Sequence, residues 1–265
     1  MLVPRPSGTW SLLRVPMLPA RIDVARLQAR TGRPVVHLDE CDSTNLIARQ
    51  RARVLLQQGD VRRRALPLVV AEHQLAGRGR LDRRWRSLPR HNLLFSLILG
   101  PDLTLVDAPR AVLAWAAALA ETLDVSLKWP NDLVDGDGHK LGGVLAEHEP
   151  GPDPDRVGLL VLGVGVNVLQ TEFPRLPQAT SLARLRPRSV FDRTELMADL
   201  VRAVDGVDLA APDLLERWRA RDRTIGRRVR VGGVEGVATG IRDDGALLVD
   251  GRPVLAGDVE LIGAR

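Results

Sequence analysis

Residues 126–149 read SLKWPNDLVDGDGHKLGGVLAEHE. Two β-prone runs, SLKWP and KLGGVLAEHE, flank WPNDLVDGDGH, a stretch with turn residues that reads as a loop. A third apolar run, VGLLVLGVGVNV (157–168), follows a Pro/Gly/Asp turn at 150–155. Strand joined to strand with no helix between argues against strict βαβ alternation and for an α+β chain with a mixed sheet. Upstream, the pattern gives a short helix at 22–30, a strand at PVVHL (34–38) and a helix opening at DSTN (42–45). That helix carries an Asp/Ser/Thr cap signal and apolar spacing at Leu46, Ile47, Val54 and Leu55. LPLVVAEHQ (66–74) and NLLFSLILG (92–100) read as strands around an Arg/Gly-rich loop at 75–91, and 105–123 as an Ala-rich helix. Helices are expected near 192–205 and 211–221. From Ile225 the texture changes to five short β-rich runs, broken at Gly232-Gly233, Asp244-Gly245 and Asp250-Gly251. So few residues suggest a small barrel that needs a docking surface. The expected organisation is a loose tail at 1–20, a catalytic domain at 21–222 and a small β domain at 223–265.

The same stretch holds an oddity of composition. Of 38 Lys and Arg residues only Lys128 and Lys140 are lysine, and Asn45, Asn92, Asn131 and Asn167 are the only asparagines. Lysine is a compact point charge and arginine a broad planar fork, so the two lysines mark places where the fork does not fit, unless they are accidents of drift. Each asparagine stands at the junction of an apolar segment. Ligand sites gather at such element ends, and so do simple caps and turns, the reading preferred for Asn92.

Charge is local. Residues 49–90 carry 12 Arg against Asp60, Glu72 and Asp82, while the whole chain is only +5 with pI ≈ 10.6. Such a patch suits a nucleotide, a nucleic acid or an acidic protein partner, or it is a solvated helix face at Arg49, Arg51 and Arg53. Aromatic residues are 3% with no Tyr, which disfavours base-stacking platforms. The single Cys41 excludes an internal disulfide and fits a reducing cytoplasm. No apolar run approaches the ~20 residues of a membrane span. The N-terminus makes a poor signal peptide, and Met17 is a candidate start.

Within AGRGRLDRRW (76–85), Gly77 and Gly79 let the backbone approach an anion, and Arg78, Arg80 and Arg83 can neutralise phosphate. The P-loop pattern is absent, and GVGVN (163–167) is only half a dinucleotide fingerprint.

Taken in order, DSTN (42–45), AEHQLAGRGR (71–80), NLLFSL (92–97), KWPNDL (128–133), KLGGVLAE (140–147), GVGVN (163–167) and ATSL (179–182) resemble the biotin protein ligases. The resemblance covers roughly residues 35 to 185, and the β-rich C-terminus is similar to that family's SH3-like domain. It implies a class II aminoacyl-tRNA synthetase-like catalytic fold with a small SH3-like β-barrel. It also implies ATP and biotin as substrates, Mg²⁺, and a biotin carboxyl carrier domain as partner. Biotin's carboxylate would attack the α-phosphorus of ATP to give biotinyl-5′-AMP and pyrophosphate, and an acceptor lysine would then take the biotinyl group. A carboxyl group with pKa near 4 needs no general base at neutral pH, so the chemistry asks for positioning and charge neutralisation.

Carried over by motif, Ser43, Thr44, Asn45 and Gln74 would hold the ureido ring. Arg78, Gly79, Arg80, Lys140 and Gly143 would complete the biotin site. Arg80, Arg83, Trp85, Lys128, Asn131, Asp132 and Asn167 would line the ATP side, with Asp132 a Mg²⁺ contact and Trp129 core. The catalytic charges would be Lys140, Arg78 and Lys128. Two departures stand out: Asp82 replaces a loop glycine and His91 the glycine before NL. About 35 residues precede the first core strand, too few for the winged helix-turn-helix of repressor relatives, so no operator binding is expected. A cytoplasmic monomer or weak homodimer with no membrane contact is the expectation. A lipoate or octanoate ligase or transferase, and a nucleic-acid-binding protein, are the rival readings.

Overall fold

The computed structural model describes residues 2–4, 10–12, 18–58, 66–81, 83–100, 103–150, 153–174 and 176–262; Met17, Asp82, Arg62, Arg63 and Arg64 lie outside these. Two short strands, β1 (Leu2–Pro4) and β2 (Trp10–Leu12), pair with each other alone, within the stretch expected to be a loose tail.

The main body is a seven-stranded mixed sheet. Its strands are β3 (Val35–Leu38), β4 (Leu68–Ala71), β5 (Leu93–Leu99), β6 (Ser126–Lys128), β7 (Asp132–Val134), β8 (Lys140–Pro150) and β9 (Val157–Val166), in the order β3-β4-β5-β9-β8-β7-β6. Only β3 and β4 run parallel. Asp132–Val134, expected to be loop, is a strand: it forms the tight partner of both β6 and the start of β8. Three residues, one of them an acid, are too short a run for a periodic pattern to register.

One face of the sheet carries helices α1 (Val24–Thr31), α3 (Ala108–Leu123), α5 (Arg193–Asp205) and α6 (Leu214–Arg219) over the larger core, and the short α4 (Leu182–Leu185) follows β9. The other face carries α2 (Thr44–Gln58) over a smaller core of Ala48, Ala52, Val69, Ile98, Leu159 and Val161. The buried side of α2 is Thr44, Ala48 and Ala52, four residues apart. The larger Leu46 and Val54, expected to face inward, are 39% and 49% exposed. Small side chains let the helix lie close to the sheet, and this closeness selected the face.

The C-terminal strands β10 (Arg228–Val231), β11 (Val234–Ile241), β12 (Leu247–Val249), β13 (Arg252–Val254) and β14 (Glu260–Leu261) form a separate antiparallel sheet ordered β13-β12-β11-β10-β14. Gly233 (φ +80) and Gly245 (φ +87) adopt the left-handed conformation its turns require. Val229, Val231, Leu247 and Val249 belong to the same apolar core as the main body. The join is also polar: Trp129, buried as expected, donates its backbone N–H to Thr224 Oγ1 (2.9 Å) and its indole N–H to the Gly245 carbonyl (3.0 Å).

A buried ion pair ties the first helix face together. Glu72 accepts from the Ile22 N–H (2.7 Å) and from Arg193 (2.8 Å) and lies 3.1 Å from His37, while Arg193 also donates to the Asn92 and Ala20 carbonyls. Burial alone would raise the Glu72 pKa, but these donors outweigh it and hold the carboxyl below its ordinary value. A depressed carboxylate pKa contributes stability above the unfolded value near 4.3, lost as pH falls through the folded value. Glu72→Gln is therefore expected to cost about 3 kcal/mol at pH 7, because Arg193 is left buried without its charge partner. In urea unfolding the gap to wild type should narrow below about pH 4; a gap independent of pH would refute the ion-pair account.

Candidate active site

Side chains alternate across a strand, and β9 uses its two faces differently along its length. On the α2 side, Leu159 and Val161 pack beneath the helix, and then the same face continues as Gly163, Gly165 and Asn167. Where α2 ends, the sheet loses its side chains, and a cavity of about 360 Å³ opens. Its floor follows the register: Leu145, Gly163 and Ser96 lie in one row, and Asp132, Gly143, Gly165 and Leu94 in the next. Rows two residues apart are separated by about 7 Å.

The first row carries an uncharged polar cluster. The Thr44 N–H donates to Gln74 Oε1 (2.7 Å), whose oxygen is also 3.1 Å from the Thr44 hydroxyl. Buried Ser96 lies 2.8 Å from that hydroxyl and donates to Asn45 Oδ1 at 2.6 Å. The Asn45 amide donates in turn to the Leu145 carbonyl (3.2 Å) and Glu147 Oε2 (2.8 Å). Ser43, Thr44 and Asn45 are all buried at the helix start. GVGVN is thus clearance for other groups: a Cβ on Gly163 would sit 2.1 Å from Asn45 Oδ1, and one on Gly165 2.8 Å from the Trp85 ring.

The second row is ionic. Buried Asp132 accepts from Lys140 Nζ at 2.5 Å through Oδ1, and its Oδ2 is 3.5 Å from Lys128 Nζ. Asn131 holds β8 by donating to the Val144 carbonyl (2.7 Å) and takes Arg80 at 3.4 Å on its oxygen. Asn167 donates to the Thr180 carbonyl (3.0 Å), but its Oδ1 and the Trp85 indole N–H are buried without a partner.

The Arg/Gly loop folds back on itself instead of staying irregular. Gly79 N–H donates to the Arg83 carbonyl (2.7 Å) and Trp85 N–H to the Gly77 carbonyl (2.8 Å). The cavity is lined by six cations, Arg78, Arg80, Arg83, Arg84, Arg86 and Lys140, against the carboxylates Asp132 and Asp258. Asp258 comes from the C-terminal sheet and pairs with Arg83. Burial pushes the Arg80 guanidinium below its ordinary pKa, with nearby Asp258 and Asp132 opposing and Arg83 adding to the effect. An always-charged group that is partly desolvated, in a cavity whose charged lining is mostly cationic, makes a receptor for an anion.

Every residue proposed from the motifs lines this cavity except Lys128, which reaches it through Asp132, and the metal expectation fares differently. Both Asp132 oxygens face ammonium groups, so without substrates its carboxylate serves the lysines. Asp135, Asp137 and His139 lie together in the β7–β8 turn, where Asp135 accepts the N–H groups of Asp137 and His139 and closes the hairpin. His73 turns to Glu40 at 3.0 Å. His91 has ordinary backbone angles; the left-handed residues are its neighbour Arg90 (φ 61) and Leu81 (φ 51), beside Asp82. The motifs gave no hint of Phe173, Leu176, Gln178 or Asp258, which line the cavity from a loop and from the second sheet.

Comparison with known proteins agrees with this geometry. Residues 51–167 match the model of the Biotin/lipoate A/B protein ligase family. The chain is 38% identical over 220 residues to the Biotin--[acetyl-CoA-carboxylase] ligase of Mycobacterium tuberculosis, covering 72% of this chain and 77% of that protein. It is 32% identical over 255 residues to the Bifunctional ligase/repressor BirA of Escherichia coli, covering 88% and 76%. The biotin protein ligase of Aquifex aeolicus, solved in complex with biotin and ATP, superposes with a TM-score of 0.62 at 26% identity, covering 87% of this chain and 99% of that one.

The Gly163–Asn45 approach has a direct test. Gly163→Ala should force Asn45 away from Ser96 and Glu147 and cost about 1–3 kcal/mol. Gly240→Ala, whose Cβ would meet nothing nearer than 3.9 Å, serves as control. Equal melting temperatures for the two variants would show that the clearance at Gly163 is not needed.

Proposed function

The chain belongs to the biotin protein ligase family, and from that premise we infer that its cavity is where biotin and ATP meet. The enzyme activates biotin with ATP and transfers the biotinyl group to a lysine of a biotin carboxyl carrier domain. In the first step a biotin carboxylate oxygen bonds to the α-phosphorus as the bond to the β-phosphate oxygen breaks, releasing pyrophosphate. In the second the acceptor amine attacks the acyl carbon and AMP leaves.

The observation that supports the site assignment is the juxtaposition of two environments in one cavity. An uncharged polar cluster at Thr44, Asn45 and Gln74 stands one row from the ionic set at Asp132 and Lys140, with Leu145 of the first row as apolar wall. This matches a molecule with a ureido ring, an aliphatic chain and a carboxylate. Ser43, Thr44, Asn45 and Gln74 take the ring, and Gly143 leaves room for the chain. Lys140 leaves Asp132 to bridge the biotin carboxylate and the α-phosphate, cancelling the repulsion between two anions. Lys128 then retains Asp132, so the carboxylate is never left unpaired.

Arg78, Gly79 and Arg80 close over the adenylate and keep water from it. Arg83, Asn131 and Asn167 serve the nucleotide, with the unpartnered Asn167 Oδ1 as an acceptor for it. Trp85 lies flat against Gly165 at the wall and offers a face to adenine. Mg²⁺ arrives on the nucleotide's own phosphates and needs no ligand from Asp132. No helix among the described residues is long and apolar enough to cross a membrane, and we place the reaction in the cytoplasm, where ATP is made.

Biotin-dependent exchange between ATP and labelled pyrophosphate tests the first half-reaction, with lipoate and octanoate run in parallel. Exchange with biotin alone is expected; exchange with the fatty acids instead would assign the chain to the lipoate branch. Lys140→Arg should lower the exchange rate about a hundredfold or more despite the conserved charge, because a planar fork cannot sit between two anions held this closely. Near-normal exchange in that variant would remove Lys140 from its role.

A further inference from the structure

Glu147 lies on the cavity-facing side of β8, two residues beyond Leu145, and its side chain is only 18% exposed. Its Oε2 accepts from Asn45 Nδ2 at 2.8 Å. Its Oε1 accepts from Arg49 Nη1 at 3.0 Å and stands 3.6 Å from Arg78 Nη1. Two guanidinium groups therefore face this carboxylate.

Resting on the reading above, we propose that Glu147 is a positioning residue for biotin activation, which fixes the face that Asn45 presents to the ureido ring. The argument is one of donors and acceptors. An ionised carboxylate can only accept, so the Asn45 group turned toward it must be the amide NH₂. Both amide hydrogens are then spent, one on Glu147 and one on the Leu145 carbonyl. Oδ1 is driven to the other side, where Ser96 donates to one lone pair and the second remains for a ligand. Asn45 thus meets the cavity as an acceptor, which a ureido N–H requires. Glutamine in place of Glu147 can donate as well as accept, so it removes the stronger of the two acceptors that hold this amide orientation and leaves only the longer bond to the Leu145 carbonyl against the flipped amide, which offers that N–H a second donor. The specificity of the ring site depends on a charge that never touches the ring.

The test is a double-mutant cycle in the pyrophosphate-exchange assay, read as kcat/KM at sub-saturating biotin. Glu147→Gln is expected to raise KM for biotin about tenfold while KM for ATP stays within about twofold. In an Asn45→Ala background the same substitution should change kcat/KM by less than about twofold, because the group it positions is gone. Arg49→Gln, which breaks an ion pair but keeps carboxylate and amide, should leave KM for biotin near wild type. Wild-type biotin affinity in Glu147→Gln, additive effects with Asn45→Ala, or an equal rise in Arg49→Gln would each overturn the proposal. Absence of biotin exchange in the wild-type enzyme would instead overturn the functional reading on which it rests.

Discussion

Asn45 can occupy its place only because Gly163 has no side chain. Its amide oxygen stands where a Cβ would be, 2.1 Å from the ideal position. The start of α2 is therefore lowered onto the sheet, and the helix's small buried face, Ala48 and Ala52, continues the same close approach over Leu159 and Val161. A sheet face that is aliphatic under the helix and bare beyond it gives both a rigid anchor and a cavity, with no change of backbone geometry between them. Thr44, Asn45 and Ser96 then sit on regular elements, a helix start and a strand, whose positions are set by packing, while Gln74 is held just beyond β4 by a bridge to Cys41. Precision at the ring end comes from this: a loop could supply the same atoms but not hold them.

The ionic end follows another logic. Two lysines share one buried carboxylate, and six cations face two acids, so the cavity is under-neutralised before any ligand enters. Two anions must be brought within bonding distance, and an excess of fixed positive charge in a partly desolvated site offsets their repulsion. Asp132 keeps Lys140 and Lys128 extended into the site meanwhile. A carboxylate that can hand one ammonium to the substrate while keeping the other avoids burying an unpaired charge at either stage.

Much of this was readable in the sequence. Scarcity singled out Lys140, Lys128, Asn45, Asn131 and Asn167, and the motif order brought them to one family and one cavity. What was hidden had physical causes. The short β7 has no periodicity of its own and exists because β6 and β8 flank it. The buried face of α2 was only half read: Ile47 and Leu55 do pack against the smaller core, but Leu46 and Val54 face solvent, and the closest approach is made by Ala48 and Ala52. Magnesium at Asp132 was carried over by motif, and the two ammonium neighbours that occupy its oxygens come from register. Glu147 and Ser96 lie within the KLGGVLAE and NLLFSL motifs, but their roles were not legible there, since their importance lies in which atoms they bond across β8, β9 and β5.

The second sheet extends the argument beyond one domain. Its core is continuous with the main one, and Trp129, adjoining Lys128 in the chain, is fixed at both backbone and indole by Thr224 and Gly245. The strand bearing Lys128 is therefore located by the C-terminal sheet. That sheet also sends Asp258 into the cavity, to the loop arginine Arg83. In the proposed reaction Arg83 would exchange this protein carboxylate for phosphate oxygens, as Lys140 would exchange Asp132 for the substrate anions. The same exchange of partners would then occur at both ends of the ionic half. It requires the small sheet to be docked, which accounts for a five-stranded unit too small to fold alone being built into the wall of the site.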